Sequence, residues 1–193
     1  MRQGELFPSV RSEAALPEWR PDDGALQAWR ERVAAFQDDR RRDSSAGQGC
    51  LPLSTVPGEG TGGAAVPDPL LLAPLALQFW RWPVPAHSGP ALYFVIDHGL
   101  AGDRPLLLYV GETAHADRRW KGDHDCKAYL ADYGESLSRG SAPARLSIRF
   151  WCDAPALGRQ RRQLEQQQIR HWQPPFNKEC RERWQTPFQK PPD

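Results

Sequence analysis

No stretch of 18 apolar residues occurs in the 193-residue chain, so no membrane-spanning helix is expected. The first residues, Met1-Arg2-Gln3-Gly4-Glu5, lack the apolar core of a secretory signal. The four cysteines, at positions 50, 126, 152 and 180, form no Cys-x-x-Cys pair, which argues against a zinc ribbon or a dithiol redox motif. His124 and Cys126 come nearest to a metal cluster, and two ligands do not close a zinc site. There is no internal repeat. These absences lead to the expectation of a cytoplasmic protein with reduced thiols and no membrane partner.

The composition is 39% hydrophobic and 25% charged, enough for a modest core. Nineteen prolines and sixteen glycines assign part of the chain to linker. Eight tryptophans argue against general disorder. The net charge of +1 is unevenly spread: residues 139–190 hold eleven Arg or Lys against four Asp or Glu, and residues 1–138 hold fourteen against nineteen. A basic C-terminal third is the footprint of a polyanion binder, with a solvated helix face as the plainer reading.

Residues 1–21 read as an extended, proline-punctuated segment. A helix is expected over 22–42, where Leu26, Trp29, Val33 and Phe36 make a narrow apolar stripe suited to docking on another surface. Residues 43–69, rich in Ser, Gly and Pro, read as a flexible linker. The aromatic stretch 70–82 is open between a strand and a packed lead-in. Ala91 to Asp97 and Leu106 to Val110, joined by a Gly-rich loop, predict a β-hairpin. Helices are expected over 114–121 and 125–138. Arg145 to Cys152 alternates as a third strand, with Leu146, Ile148, Phe150 and Cys152 on one face. A helix from Pro155 to Trp172 follows, stopped by Pro174 and Pro175. The expected fold class is α+β, with a small, largely antiparallel three-stranded sheet flanked by helices. The main domain is placed at 70–184, and 185–193 is a tail.

The triplets Ala91-Leu92-Tyr93 and Tyr109-Val110-Gly111 fall on the two hairpin strands. Arg119 follows ten residues after Tyr109, Glu165 lies on the last long helix, and Asn177 stands twelve residues beyond it. In order and spacing this constellation, across about 91–184, resembles the GIY-YIG nuclease family. The resemblance implies a GIY-YIG nuclease-like fold and a metal-dependent endonuclease acting on phosphodiester bonds, with DNA favoured as substrate. It implies Tyr93, Tyr109, Arg119, Glu165 and Asn177 as catalytic residues and Gly111 as the structural turn at the site. Glu165 is implied as the ligand of a divalent cation, Mg²⁺ or Mn²⁺.

The chemistry accounts for these residue types. Phosphodiester hydrolysis builds negative charge on phosphate oxygens, which a cation and a fixed arginine stabilise more in the transition state than in the ground state. One carboxylate and several waters are the usual hold on Mg²⁺. Arg119 would grip a non-bridging oxygen. Tyr93 or Tyr109 would orient or deprotonate water, its phenol helped by the positive charge of Arg119 and the metal. Each residue also has a structural reading: the tyrosines as strand aromatics, Gly111 as a turn glycine, Arg119 as a basic helix end, Glu165 in an i−4 pair with Arg161, Asn177 as a turn residue. Arg118, Lys121, Arg159, Arg161 and Arg162 are the expected nucleic-acid contacts.

The sequence departs from the family pattern in places. Ala91 replaces the first glycine, the loop between the triplets is long, and Glu112 stands where several members carry lysine. Asp123 takes the place of a His or Tyr four residues after the arginine, leaving His124 as a possible accessory and His115 as a weaker candidate. Glu112 and Asp123 favour an alternative class, a nucleic-acid-binding module of the same fold that is catalytically weak or inactive. A third reading is an interaction protein organised by its N-terminal helix, for which the C-terminal half would be dispensable. Gln3, Leu6 and Phe7, in Gln3-Gly4-Glu5-Leu6-Phe7, resemble the short peptide by which bacterial DNA enzymes dock on the sliding clamp.

Overall fold

The computed structural model describes residues 23–46, 66–121, 125–139 and 144–188. The N-terminal segment expected to be extended, with Gln3, Leu6 and Phe7, most of the expected linker, Asp123, His124 and the end of the tail lie outside the described residues.

The run Ala91–Asp97 (β2) is buried at every position, as expected of an apolar strand covered on both faces. It lies between two antiparallel neighbours, Leu106–Thr113 (β3) and Leu146–Trp151 (β4). A two-residue strand, Leu75–Ala76 (β1), pairs with β4 and completes a four-stranded sheet of order β1-β4-β2-β3. The three-stranded expectation is therefore corrected to four strands. A pair of residues has no periodicity to read, so only its pairing with β4 makes β1 a strand. The rest of the 70–82 stretch is a packed lead-in with 3-10 turns at Pro69–Leu71 and Phe79–Arg81. β4 ends at Trp151 and Cys152 is exposed, while Ser147, Arg149 and Trp151 on its other face are buried as well.

Four α-helices are present among the described residues: Asp23–Ala46 (α1), Asp125–Arg139 (α2), Gly158–Trp172 (α3) and Arg181–Trp184 (α4). The helix expected over 114–121 is instead an irregular turn. Within it the Arg118 and Arg119 N–H groups both donate to the His115 carbonyl (3.1 and 3.0 Å) and the Lys121 N–H to the Arg118 carbonyl (3.0 Å), while its ends are tied elsewhere: the His115 N–H to Thr113 Oγ1 (2.9 Å), the Ala116 N–H to the Gly89 carbonyl (2.9 Å) and the Trp120 carbonyl to Lys127 Nζ (2.7 Å). Eight residues are also too few to nucleate a helix without help. α3 begins at Gly158, three residues after Pro155. It ends with Gln173 in the left-handed region, followed by Pro174 and Pro175.

The stripe on α1 is buried as its spacing suggested, and its docking surface is the rest of the same core. Leu26, Trp29 and Val33 are buried and Phe36 is half-buried. The Trp29 ring stands 6.1 Å from Tyr133 of α2 and 6.4 Å from Phe176, and its N–H donates to the Trp184 carbonyl at 2.9 Å. Buried Asp97 accepts from Arg30 of α1 (2.9 Å), Tyr133 of α2 (2.7 Å), and the N–H groups of Gly99 (2.8 Å) and Arg145 (2.9 Å). One carboxylate at the end of β2 thus joins two helices, the following loop and the lead into β4, with its charge paired and its lone pairs used.

β3 is the sheet edge on the other side of β2, and an open edge invites pairing with another chain. Here other groups cover it. The Gln37 side-chain amide bonds both the N–H and the C=O of Leu107, each at 2.9 Å. The Phe176 N–H donates to the Leu108 carbonyl at 3.0 Å. The Asn177 amide bonds both groups of Val110, at 2.9 and 2.8 Å. Glu165 accepts from the Glu112 N–H at 3.1 Å. No helix among the described residues is long and apolar enough to cross a membrane.

Candidate active site

The pairing Tyr93↔Gly111 and Val95↔Tyr109 puts both tyrosines on one face of the β2–β3 hairpin, one step apart diagonally. Their rings stack with centroids 5.9 Å apart, and their hydroxyls are joined by a hydrogen bond. Gly111 makes that approach possible. A Cβ there would collide with the ring and hydroxyl of Tyr93 and lie 2.8 Å from Tyr109 Cε1, too close for any side chain. Its role is steric and does not rest on a special backbone angle.

Arg119 reaches the pair from the turn that replaces the expected helix. Its Nε donates to Tyr93 Oη at 3.1 Å, and its guanidinium lies 5.9 Å from the centre of the Tyr93 ring. The turn is fixed by buried Trp120, which meets Tyr93 edge-on at 6.0 Å. Glu165 comes from α3, half-buried, with Oε1 on the Glu112 N–H. Arg119, Glu165 and the two tyrosines lie within electrostatic reach of one another. Four of the five residues singled out from sequence converge here from three separate segments.

Asn177 does something different. It is buried, and both ends of its amide are engaged by the Val110 backbone, next to Gly111. It clamps the strand that carries Tyr109 and Gly111, so it is a positioning residue. The plainer reading of Glu165, an i−4 pair with Arg161, is not what forms. Arg161 pairs with Glu112, Nε to Oε2 at 2.5 Å, and donates to the Pro155 and Ala156 carbonyls at 3.0 Å each. With its side chain 4% exposed, Arg161 leaves the set of surface nucleic-acid contacts. Arg118, Lys121, Arg159 and Arg162 are exposed as expected. His115 is exposed on the turn, and its imidazole has no hydrogen-bond partner among the described residues.

Burial sets the electrostatics. It pushes the Tyr93 phenol well above its usual value, the neighbouring Tyr109 adds to the shift, and Arg119 offsets only part of it. Tyr109 is raised to about 12, again chiefly by burial. The expectation that Arg119 would help a tyrosine ionise is outweighed by desolvation, so both are phenols in this state. The Glu165 carboxyl is raised to about 7, first by burial and then by the nearby charge of Glu112.

Sequence reasoning missed Trp120, Phe150, Cys126 and the Glu112–Arg161 pair. Phe150 lies opposite Tyr93 in β4, its ring 5.9 Å away. Cys126 is buried near both phenols. Strand alternation marked Phe150. The adjacency of Trp120 to Arg119 was a signal for Trp120, while the others depend on contacts remote in sequence. Among the described residues no group of three His, Cys, Asp or Glu stands ready to hold a metal. Comparison of the chain with protein-family models, with curated proteins and with solved structures returned no match.

Proposed function

We propose that the chain is a metal-dependent endonuclease that hydrolyses phosphodiester bonds in DNA by a GIY-YIG-type arrangement. The observation that carries this reading is the convergence of Tyr93, Tyr109, Arg119 and Glu165 at one end of the hairpin. The donor chemistry suits a hard divalent cation held by one carboxylate and waters: among the described residues Glu165 forms no ion pair, Arg119 offsets its charge only in part, and burial beside Glu112 makes that charge unfavourable until a cation arrives. Mg²⁺ or Mn²⁺ bound there supplies Lewis-acid stabilisation of charge on the phosphate.

The residues of the chain supply the rest. Arg119, oriented by Tyr93 and Trp120, presents its remaining N–H groups to a non-bridging phosphate oxygen. The paired phenols hydrogen-bond and orient the attacking water. The new P–O bond forms from that water, the opposite ester P–O bond breaks, and the proton the water loses passes through solvent to replace the one the departing oxygen takes up. Arg161 pairs with Glu112 and so offsets part of that carboxylate's charge beside the site. Gly111 and Asn177 hold the strand that carries Tyr109.

The test is a cleavage panel with Mg²⁺ or Mn²⁺ on duplex, nicked, flap, branched and single-stranded DNA, with Glu165→Ala as the control. Cleavage lost in that variant supports the reading, and equal activity in both proteins refutes it. One observation favours the alternative of a weak or inactive nucleic-acid-binding module: both phenols are held firmly protonated. That alternative requires tight DNA binding with no metal-dependent turnover on any substrate in the panel.

A further inference from the structure

Successive residues of β4 point to opposite faces of the sheet, so Arg149 lies on the face away from Phe150 and the tyrosine pair. It is a cation only 6% exposed, and it forms no ion pair among the described residues. Its Nη1 donates to the Pro69 carbonyl at 3.2 Å and to the Leu70 carbonyl, and its Nη2 stands 3.2 Å from His98 Nε2. The charge of Asp68 reaches Arg149, but the Asp68 oxygens are taken by Arg41 Nε at 3.1 Å and the Leu70 N–H at 2.8 Å. A guanidinium can only donate, so His98 Nε2 is the acceptor and the imidazole is neutral with its proton on Nδ1. Arg149 thereby fastens the start of the lead-in to one face of the sheet. The lead-in then passes the edge at β1 and reaches the other face, where Phe79 meets Phe150 at 5.2 Å and Phe150 meets Tyr93 at 5.9 Å.

We propose that His98 and Arg149 form a pH-sensitive lock on the lead-in: neutral His98 holds the Arg149 fork on the Pro69 and Leu70 carbonyls, and protonation of His98 releases the lead-in from the sheet. The inference goes beyond the nuclease reading and does not depend on it. A proton taken from solvent by Nε2 removes the acceptor and sets two cations 3.2 Å apart in a half-buried place. The other charges around His98 do not compensate. Asp97, at the end of β2, is used by Arg30, Tyr133 and two N–H groups. Arg145, ahead of β4, is a third cation, and Asp103, in the turn after β2, is paired with it at 2.8 Å. Burial first, and then the charge of Arg149, hold the imidazole below its ordinary value of 6.5 against the pull of Asp97 and Asp103. A released lead-in leaves His98 free to take its proton at that ordinary value, while the locked form takes it only at lower pH. The lock is therefore at full strength above about 6.5 and weakens as pH falls below it.

The test uses the full chain. Nitrogen NMR of the imidazole reads the tautomer and titration of His98, and hydrogen exchange, corrected for intrinsic rates, reads opening of the lead-in. The wild-type ring is expected to carry its proton on Nδ1 at pH 8 and to titrate below its ordinary value. Exchange of the lead-in should rise by up to about tenfold per pH unit as pH falls through the window, the dependence of an opening linked to one proton, while the β2–β3 hairpin stays protected. His98→Gln offers Arg149 an amide oxygen and does not titrate, so its lead-in should stay closed in acid; His98→Ala should open it at every pH. A proton on Nε2 at pH 8, or titration at or above the ordinary value, overturns the proposal in the wild-type chain without any variant. Equal acid-driven opening in wild type and His98→Gln overturns it too, by assigning the opening to another group. Neither outcome bears on Glu165-dependent cleavage, so the lock and the nuclease reading fail separately.

Discussion

Replacing Glu165 by glutamine keeps an acceptor for the Glu112 N–H and removes only the charge. Metal-dependent cleavage is expected to vanish while the fold stays, measured as activity beside an unchanged circular dichroism spectrum. The same variant tests the electrostatics. The Glu165 carboxyl sits at about 7 in the folded chain against an ordinary value of 4.5. Between those values the folded chain keeps a proton that the unfolded chain has released, so stability falls as pH rises through this window and levels off above about 7. In chelator, the wild-type melting temperature should therefore drop more between pH 5 and pH 8 than that of Glu165→Gln. Mg²⁺ needs the ionised carboxylate, so its stabilising effect should grow across the same window. An identical pH slope in the two proteins would show that Glu165 is not the titrating group. Arg119→Ala should slow cleavage by about 10²–10³, the loss typical of one preorganised charge stabiliser. An unchanged kcat would remove Arg119 from the site.

The elements explain why these residues meet, and β3 is the clearest case. Four residues from three separate segments cap its outer edge, and two of the caps, Gln37 and Asn177, bond both the N–H and the C=O of one residue. Asn177→Ala would strand both polar groups of Val110, at a cost of about 2–4 kcal/mol from two unsatisfied backbone groups. Urea melts should show that loss, and activity should fall with it because Tyr109 and Gly111 shift; a neutral substitution would mean that water replaces the amide. Elements whose signal is local were legible in sequence: the hairpin by its two apolar runs, α2 and α3 by period and stop residues, the α1 stripe by its spacing. Elements defined by distant partners were not. The stretch 114–121 has acceptable helix formers, yet it closes only turn bonds onto His115 and Arg118 and is anchored at its ends by Thr113, Gly89 and Lys127. Arg161, four residues before Glu165, invited the local ion pair, and the structure gives it Glu112 on another element. The site residues were legible as types and order; that Asn177 clamps and Arg161 is buried depends on strand pairing that no spacing encodes.

At the scale of the whole molecule, the uneven charge can be sorted into side chains that face solvent and side chains that hold the fold. Arg161, Arg149 and Arg30 contribute to the count of positive residues and are buried among carboxylates and carbonyls. They add nothing to an external field that steers a polyanion. Arg159 and Arg162 are exposed on the first turns of α3, the helix that carries Glu165 two turns further on, and Arg118 and Lys121 are exposed on the turn that carries Arg119. Each such cation that neutralises a phosphate releases a counterion, so affinity should fall linearly with log salt at a slope of about −0.9 per contact on duplex DNA. The double change Arg159→Ala, Arg162→Ala should weaken duplex binding at low salt and flatten that slope by about 2, with the melting temperature nearly unchanged because neither side chain is buried. Arg161→Ala should do the reverse: it leaves Glu112 unpaired and costs about 3 kcal/mol of stability, the low end for a broken buried pair since Glu112 retains some solvent. It should change the salt slope little. Titrations of labelled duplex at several salt concentrations, paired with thermal melts of the same proteins, separate the two. A slope unmoved by the double change would show that α3 presents only a solvated face, and a slope moved by Arg161→Ala alone would place the phosphates where the ion pair now lies.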